Sequence, residues 1–258
     1  MKLSLPKSYN QKIVKAMAEF NLVEAGDRIV VGLSGGKDSS FLLYALSVLQ
    51  KHLAVNFELA ALTIDLGFDK SDYNYLKYLC KSLDVPYYIE ETEISRYILN
   101  ENINNPCAKC AHFRKGAITK FMKANNFTKV AYGHHYDDAV ETYLMSILYS
   151  GQMLALQPKR YLSDNDVYII RPLIYLREKR IIEMKDHINY QENNNPCPYD
   201  EKSKRAEIKS YLEELIDNKQ VFYNLASAMR EDAPFELWPE KLTGEEIKVK
   251  MNDLWSFR

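Results

Sequence analysis

At Arg28-Ile29-Val30-Val31-Gly32-Leu33 an unbroken apolar run passes straight into Ser34-Gly35-Gly36-Lys37-Asp38-Ser39, and a helical pattern follows from Asp38 to Gln50. A strand that is apolar on both faces belongs inside a parallel sheet covered by helices above and below. Two glycines in the turn permit positive φ and let the backbone approach an anion closely. The helix after them presents unpaired N–H groups and its positive dipole end to that anion, and Ser34 and Ser39 add hydroxyls. This junction therefore predicts an α/β sheet and a phosphate-binding loop together. A Walker loop does not fit, because Asp38 stands where Ser or Thr is needed and Val31 where the first glycine is needed. A dinucleotide fingerprint is broken by Gly32-Leu33-Ser34.

The same alternation continues along the chain. Leu59–Ile64, Tyr87–Ile89 and Lys129–Tyr132 read as further strands. Tyr9–Val23, Ser71–Leu83, Ala111–Ala124 and Asp137–Tyr149 read as helices. Strands alternating with helices predict a doubly wound parallel sheet with right-handed crossovers. From Gln157 the pattern becomes a hairpin, Lys159–Leu162 and Val167–Ile170 around Asp164-Asn165-Asp166, and beyond Arg177 it is mostly helical. The expected division is an α/β domain over 1–190 and a helical C-terminal region over 191–258. With 34 basic and 35 acidic residues the net charge is −1, which excludes a globally basic nucleic-acid coat. No run of about 18 apolar residues is present, so no spanning helix is expected. The first residues lack the apolar core of a signal peptide, and a soluble cytoplasmic protein is the expectation.

Gly133-His134-His135-Tyr136-Asp137-Asp138-Ala139-Val140-Glu141-Thr142 follows the fourth strand and opens a helix. Carboxylates in a first helical turn either complement the dipole or hold the Mg²⁺ that bridges ATP phosphates. Asp65, at the carboxyl end of the second strand, is expected to face the crevice where nucleotides bind in such sheets, or else to serve its own turn. The chain has four cysteines. Cys107-Ala108-Lys109-Cys110 starts a helix, a position that lowers thiolate pKa values and suits metal ligation. Cys197 sits rigidly between Pro196 and Pro198. Cys80 follows Leu76 and Leu79 in a core stripe that continues to Leu83. Three candidate ligands fall short of a closed zinc site but suit a cubane iron–sulfur cluster with one iron left open; a redox C-x-x-C is the alternative. Between Cys107 and Tyr136 there are six basic residues (Lys109, Arg114, Lys115, Lys120, Lys123 and Lys129) and no acidic one. That window is either a phosphate-contacting face or simply a solvated helix.

The loop Ser34–Ser39 resembles the S-G-G-x-D-S pattern of the PP-loop ATP pyrophosphatases. With Cys107-x-x-Cys110, Arg114-Lys115, Gly133–Thr142, Arg171-Pro172-Leu173 and Arg177-Glu178-Lys179, the chain resembles the tRNA 2-thiocytidine synthetase family over roughly residues 10–215. The resemblance implies an adenine-nucleotide-hydrolase-like (HUP-like) fold and an ATP-dependent tRNA sulfurtransferase that adenylates a pyrimidine carbonyl and replaces it with sulfur. It implies that Ser34, Gly35, Gly36, Lys37, Asp38, Ser39 and Gly133 bind the nucleotide, and that Asp137 and Asp138 handle Mg²⁺-ATP. It also implies that Asp65, Arg114 and Asp138 act at the reacting groups, and that Cys107, Cys110 and Cys197 hold a 4Fe-4S cluster. The partners it implies are tRNA and a sulfur donor (a cysteine desulfurase or free sulfide), with room for a homodimer and no membrane. Two features depart from the family: Asp200 stands where a second C-x-x-C would end, and Ile64-Asp65-Leu66-Gly67 is closer to the sister 2-thiouridine synthetases, whose terminal zinc-finger cysteines are absent here. Thiolation of uridine is therefore an alternative. Lysidine synthetase shares the phosphate loop and the Asp-Asp helix but not the cysteines, and a cluster-bearing nucleotide sensor without catalysis is a further alternative.

Overall fold

The computed structural model describes residues 4–68, 72–99, 103–191, 197, 208–212, 219–230 and 243–255. In chain order the elements are α1 (Lys7–Glu19), β1 (Arg28–Gly32), α2 (Lys37–Gln50), β2 (Glu58–Asp65), α3 (Asn74–Leu83), β3 (Tyr87–Glu91), α4 (Ile94–Ile98), α5 (Pro106–Ala124), β4 (Lys129–Ala131), α6 (Tyr136–Ser150), β5 (Lys159–Leu162), β6 (Val167–Ile170), α7 (Glu178–Ile182), α8 (Lys219–Ala228) and α9 (Gly244–Trp255). One sheet has the order β3-β2-β1-β4-β6-β5. Its strands run parallel except at the β5–β6 hairpin, which closes one edge.

The apolar run of β1 is explained by burial on both faces. Ile29 and Val31 point into the cluster formed with α1, α2 and α3. Val30, one residue out of phase, points to the opposite cluster with Ile118, Phe121 and Met122 of α5. Side chains alternate across a strand, and fully burying each of these contributes about 1.5–3 kcal/mol. A third cluster joins Val140 of α6 to Ile208, Leu212, Phe222 and Ala226, so the segment 208–212 and α8 pack on α6. The division expected between residues 190 and 191 abuts 192–196, which lie outside the described residues.

The chain leaves β1 toward β2 and β3, then returns to place β4 on the other side of β1. Loops diverging in this way open a crevice above the carboxyl ends of β1 and β4. Both glycine-bearing motifs of the sequence end there. Among the described residues no helix is long and apolar enough to cross a membrane.

Candidate nucleotide and cysteine site

The loop between β1 and α2 forms the floor of the crevice. Gly35 adopts φ +87°, which strains any residue with a Cβ. Gly36 is extended at φ −76° and caps α2, so only the first of the two glycines is required by conformation. Ser39 Oγ donates to the Gly36 carbonyl at 3.0 Å and stands 3.2 Å from Ser34 Oγ. Thr63 Oγ1 donates to the Leu33 carbonyl at 2.6 Å, and the Tyr190 hydroxyl donates to the Gly35 carbonyl at 3.3 Å. The loop is thus held from both sides before any ligand arrives.

Gly133 brings the β4–α6 loop against it. A Cβ at Gly133 would lie 2.7 Å from the Asp38 carbonyl carbon and 2.9 Å from the Ser39 nitrogen. No side chain fits such an approach of two backbones. The resulting cleft, of about 700 Å³, is bounded by the phosphate loop, by Leu66, Phe68 and Tyr73 after β2, by Arg114 and Lys115 of α5, and by Tyr132, His134 and Asp138. The apolar side of the cleft formed by Leu66, Phe68 and Tyr73 carries no motif in the sequence. Its signal is position, since it follows the carboxyl end of β2 just as the phosphate loop follows β1.

The carboxylates separate by their partners. Asp38 Oδ2 accepts from Lys37 Nζ at 3.1 Å, whereas its buried Oδ1 has no hydrogen-bond partner, and His135 Nε2 is 4.0 Å from it. An unpartnered buried carboxylate oxygen facing a phosphate loop suits a cation brought in with the nucleotide. Asp138 lines the cleft. Its Oδ2 accepts the His135 N–H at 2.8 Å while its own N–H donates to His135 Nδ1 at 3.4 Å, a reciprocal cap that fixes the start of α6.

Three of the residues singled out in the sequence have partners outside the cleft. Asp137 is turned away from the cleft: Arg177 Nε donates to its Oδ1 at 2.9 Å and the Glu178 N–H to its Oδ2 at 2.7 Å. Through both oxygens it ties the start of α7 to α6. Lys37 reaches Glu178 Oε1 at 2.9 Å and does not line the cleft. Glu178 in turn takes Lys209 at 2.7 Å. Burial would raise the Glu178 pKa, but hydrogen bonds and charge from Lys209 and Lys37 bring it down to about 2. Asp65 serves its own turn, its Oδ1 accepting the Gly67 N–H at 2.8 Å. It opens on a separate hollow with Glu91, Glu93 and Arg96.

Cys107 and Cys110 lie three residues apart on the first turns of α5, whose N1 position is Pro106. Cys107 is exposed, Cys110 and Cys197 partly so. The Cys110 thiol is pushed up by burial, pulled back by the Arg114 charge, and pushed up again by the Cys197 and Cys107 thiols. This differs from the lowering expected at a helix start. Burial is the largest cause, and the Cys197 and Cys107 thiols act in the same direction. Among the described residues no three His, Cys, Asp or Glu side chains stand close enough to hold a single ion; a cubane would take each thiolate on a different iron. Asp200 lies outside the described residues. Arg114 hydrogen-bonds to Cys110 and lines the cleft together with Tyr132. Cys80 is buried in the core, and burial pushes its thiol up to about 12.

A Ser-Gly-Gly loop at the switch point of a doubly wound sheet, facing an acidic helix start, puts the chain in the PP-loop class of nucleotide-binding proteins. The PP-loop domain family matches residues 6–215. A tRNA-cytidine(32) 2-sulfurtransferase from Bdellovibrio bacteriovorus is 32% identical, covering 99% of this chain and 95% of the relative. One from Legionella pneumophila is 36% identical, covering 91% and 86%. The chain belongs to the tRNA-cytidine(32) 2-sulfurtransferase family. Among solved structures, the U34-tRNA thiolase NcsA from Methanococcus maripaludis, determined with its 4Fe-4S cluster, superposes with a TM-score of 0.72. The match covers 86% of this chain and 76% of that one at 21% identity, and the two share the fold.

Proposed function

We propose that this chain 2-thiolates a cytidine of tRNA, converting ATP to AMP and pyrophosphate. The observation that carries the reading is Arg114, which lines the phosphate-loop cleft and hydrogen-bonds to Cys110 of the C-x-x-C. A pyrimidine carbonyl oxygen is a poor leaving group, and transfer of AMP onto it makes it a good one. A site for this chemistry needs an ATP cradle and a sulfur-handling group opening on one cavity.

In this reading the amides and hydroxyls of Ser34, Gly35, Gly36 and Ser39 hold the pyrophosphate end of ATP. Asp38, through its unpartnered Oδ1, and Asp138 hold Mg²⁺. Cys107, Cys110 and Cys197 hold a 4Fe-4S cluster, whose contribution when bound is delivery of sulfur to the activated carbon. Arg114 orients the base between them, and the wall of Leu66, Phe68 and Tyr73 limits water at the adenylate. Sulfur is supplied by a cysteine desulfurase or as free sulfide, and the site of action is cytoplasmic.

The test is anaerobic protein with ATP, Mg²⁺, sulfide and tRNA. AMP, pyrophosphate and 2-thiocytidine are expected, the last by mass spectrometry of digested tRNA. ADP and phosphate as products, or thiolation confined to uridine, would overturn the reading.

A further inference from the structure

From Cys107 to Gly116 every residue of α5 is exposed except the partly buried Cys110, and the first buried side chain of the helix is Ile118. A helix of a folded domain ordinarily keeps an apolar stripe against its core, and about three turns of α5 keep none. One large ring stands on this stretch, Phe113, which is 40% exposed. It meets Tyr97 of α4, 61% exposed, with ring centroids 5.8 Å apart and planes inclined by 37°. The His112 ring stands edge-on to Phe113 at 5.9 Å. The pair therefore leaves aromatic surface open to a further planar group.

The surrounding charge says what kind of group that is. Lys109 precedes Phe113 by four residues and Lys120 follows it by seven, so both exposed cations share its side of the helix. No acidic residue occurs between Pro106 and Ala124. Rings flanked by cations alone complement a polyanion that carries flat groups, and single-stranded RNA is held in this way, bases on rings and phosphates on lysines. The place along the RNA rests on the proposed function. A cytidine that reacts in the cleft must leave its stack, and the nucleotide beside it loses a stacking partner. Arg114 lines the cleft; Phe113, the preceding residue, is turned from it by about 100° around the helix, outside the cleft and beside it. We propose that Tyr97 and Phe113 form a stacking platform for the base of a nucleotide flanking the reacting cytidine, with Lys109 and Lys120 on its phosphates. Such stacking is the same before and during the reaction, so it lowers KM for tRNA and leaves kcat alone.

The test measures tRNA binding at several salt concentrations and 2-thiocytidine formation, both on anaerobic holoenzyme. Phe113→Ala and Tyr97→Ala should each weaken tRNA about tenfold, with kcat, iron content and melting temperature near those of the parent. The slope of log affinity against log salt should hold, because no phosphate contact is lost. Phe113→Tyr and Tyr97→Phe should stay within about twofold of the parent, while Phe113→Leu, apolar but without a π face, should match Ala. Transfer RNA carrying 5-iodouridine next to the thiolated cytidine should photo-crosslink to Tyr97 or Phe113, read by mass spectrometry of the digested protein. Ala variants at parent affinity, Leu as good as Tyr, a changed salt slope or a crosslink elsewhere would overturn the platform in a parent that makes 2-thiocytidine, and unchanged affinity would leave the surface to a protein partner. A parent that makes no 2-thiocytidine would instead overturn the proposed function, and the flanking position with it.

Discussion

Asp137 and Asp138 are adjacent, equally acidic and indistinguishable by pattern, yet the structure gives them different work. Asp137→Ala removes two bonds, one of them to a charged partner, and should cost about 2–3 kcal/mol. That is a fall in melting temperature of about 5–10 °C for a chain of this size, with ATP turnover persisting in the folded fraction. Asp138→Ala should abolish AMP formation while costing about 1 kcal/mol of stability, that of a helix cap. Calorimetry and product analysis on both variants check this; equal loss of activity without loss of stability at Asp137 would refute it. The distinction was invisible in the sequence because the groups that claim Asp137 are Arg177 and Glu178, 40 and 41 residues away. The place of Cys80 was legible, because the stripe through Leu76, Leu79 and Leu83 already made it a core residue. Cys107→Ala, Cys110→Ala and Cys197→Ala should each lose iron from anaerobically purified protein. Cys80→Ala should keep about four irons per chain. Stoichiometric zinc without iron in the parent would count against the cluster.

At the scale of elements, the buried strands were readable because burial on both faces leaves a continuous apolar run, as in Ile29-Val30-Val31. Helix starts were less readable. α5 begins at Pro106, five residues before the expected Ala111, because Asn105 in the left-handed region at φ +56° turns the chain into it. The short α4 was not expected at all. α7 is the element whose importance pattern could not reveal: Glu178 joins Lys37 of α2 and Lys209 of the segment 208–212 to its first turn. Its pKa falls from an ordinary 4.5 to about 2. A folded-state pKa below the unfolded one gives stability that is complete above pH 4.5 and lost as pH falls toward 2. The upper bound is about 3 kcal/mol, reduced because the Lys209 side chain is 42% exposed. Glu178→Gln should therefore be less stable at pH 7 and show a flatter loss of stability between pH 4.5 and 2, read by urea unfolding at stepped pH. An unchanged acid limb would show that the ion pairs add nothing.

For the molecule as a whole, the question is how a chain of net charge −1 holds a polyanion such as tRNA. The charge is segregated: α5 carries Lys109, Arg114, Lys115, Lys120 and Lys123 on exposed positions, and the same helix carries two of the three candidate cluster ligands. The window Cys107–Tyr136 holds a sixth cation, Lys129, which the structure removes from the face. It is 2% exposed, with Nζ at 2.7 Å from Asp27, 2.9 Å from Glu24 and 3.2 Å from the Leu22 carbonyl. A stretch of sequence reveals the density of charge but not which lysines point inward to close a distant turn. The two kinds of lysine should then separate in one experiment. For every phosphate that is no longer neutralised, the slope of log affinity against log salt should fall by roughly one. Lys120→Glu with Lys123→Glu should therefore flatten the salt dependence of tRNA binding while melting temperature and iron content hold. Lys129→Met should leave that slope unchanged and lower the melting temperature, because it strips a buried cation from Asp27 and Glu24. Arg114→Ala belongs to neither class: it should bind tRNA nearly as the parent does yet form little 2-thiocytidine, since Arg114 stands between the cleft and Cys110. Salt titrations of tRNA binding on the three variants, paired with nucleoside mass spectrometry, decide it. A slope that Lys129→Met changes and the α5 double variant does not would put the RNA somewhere other than this helix.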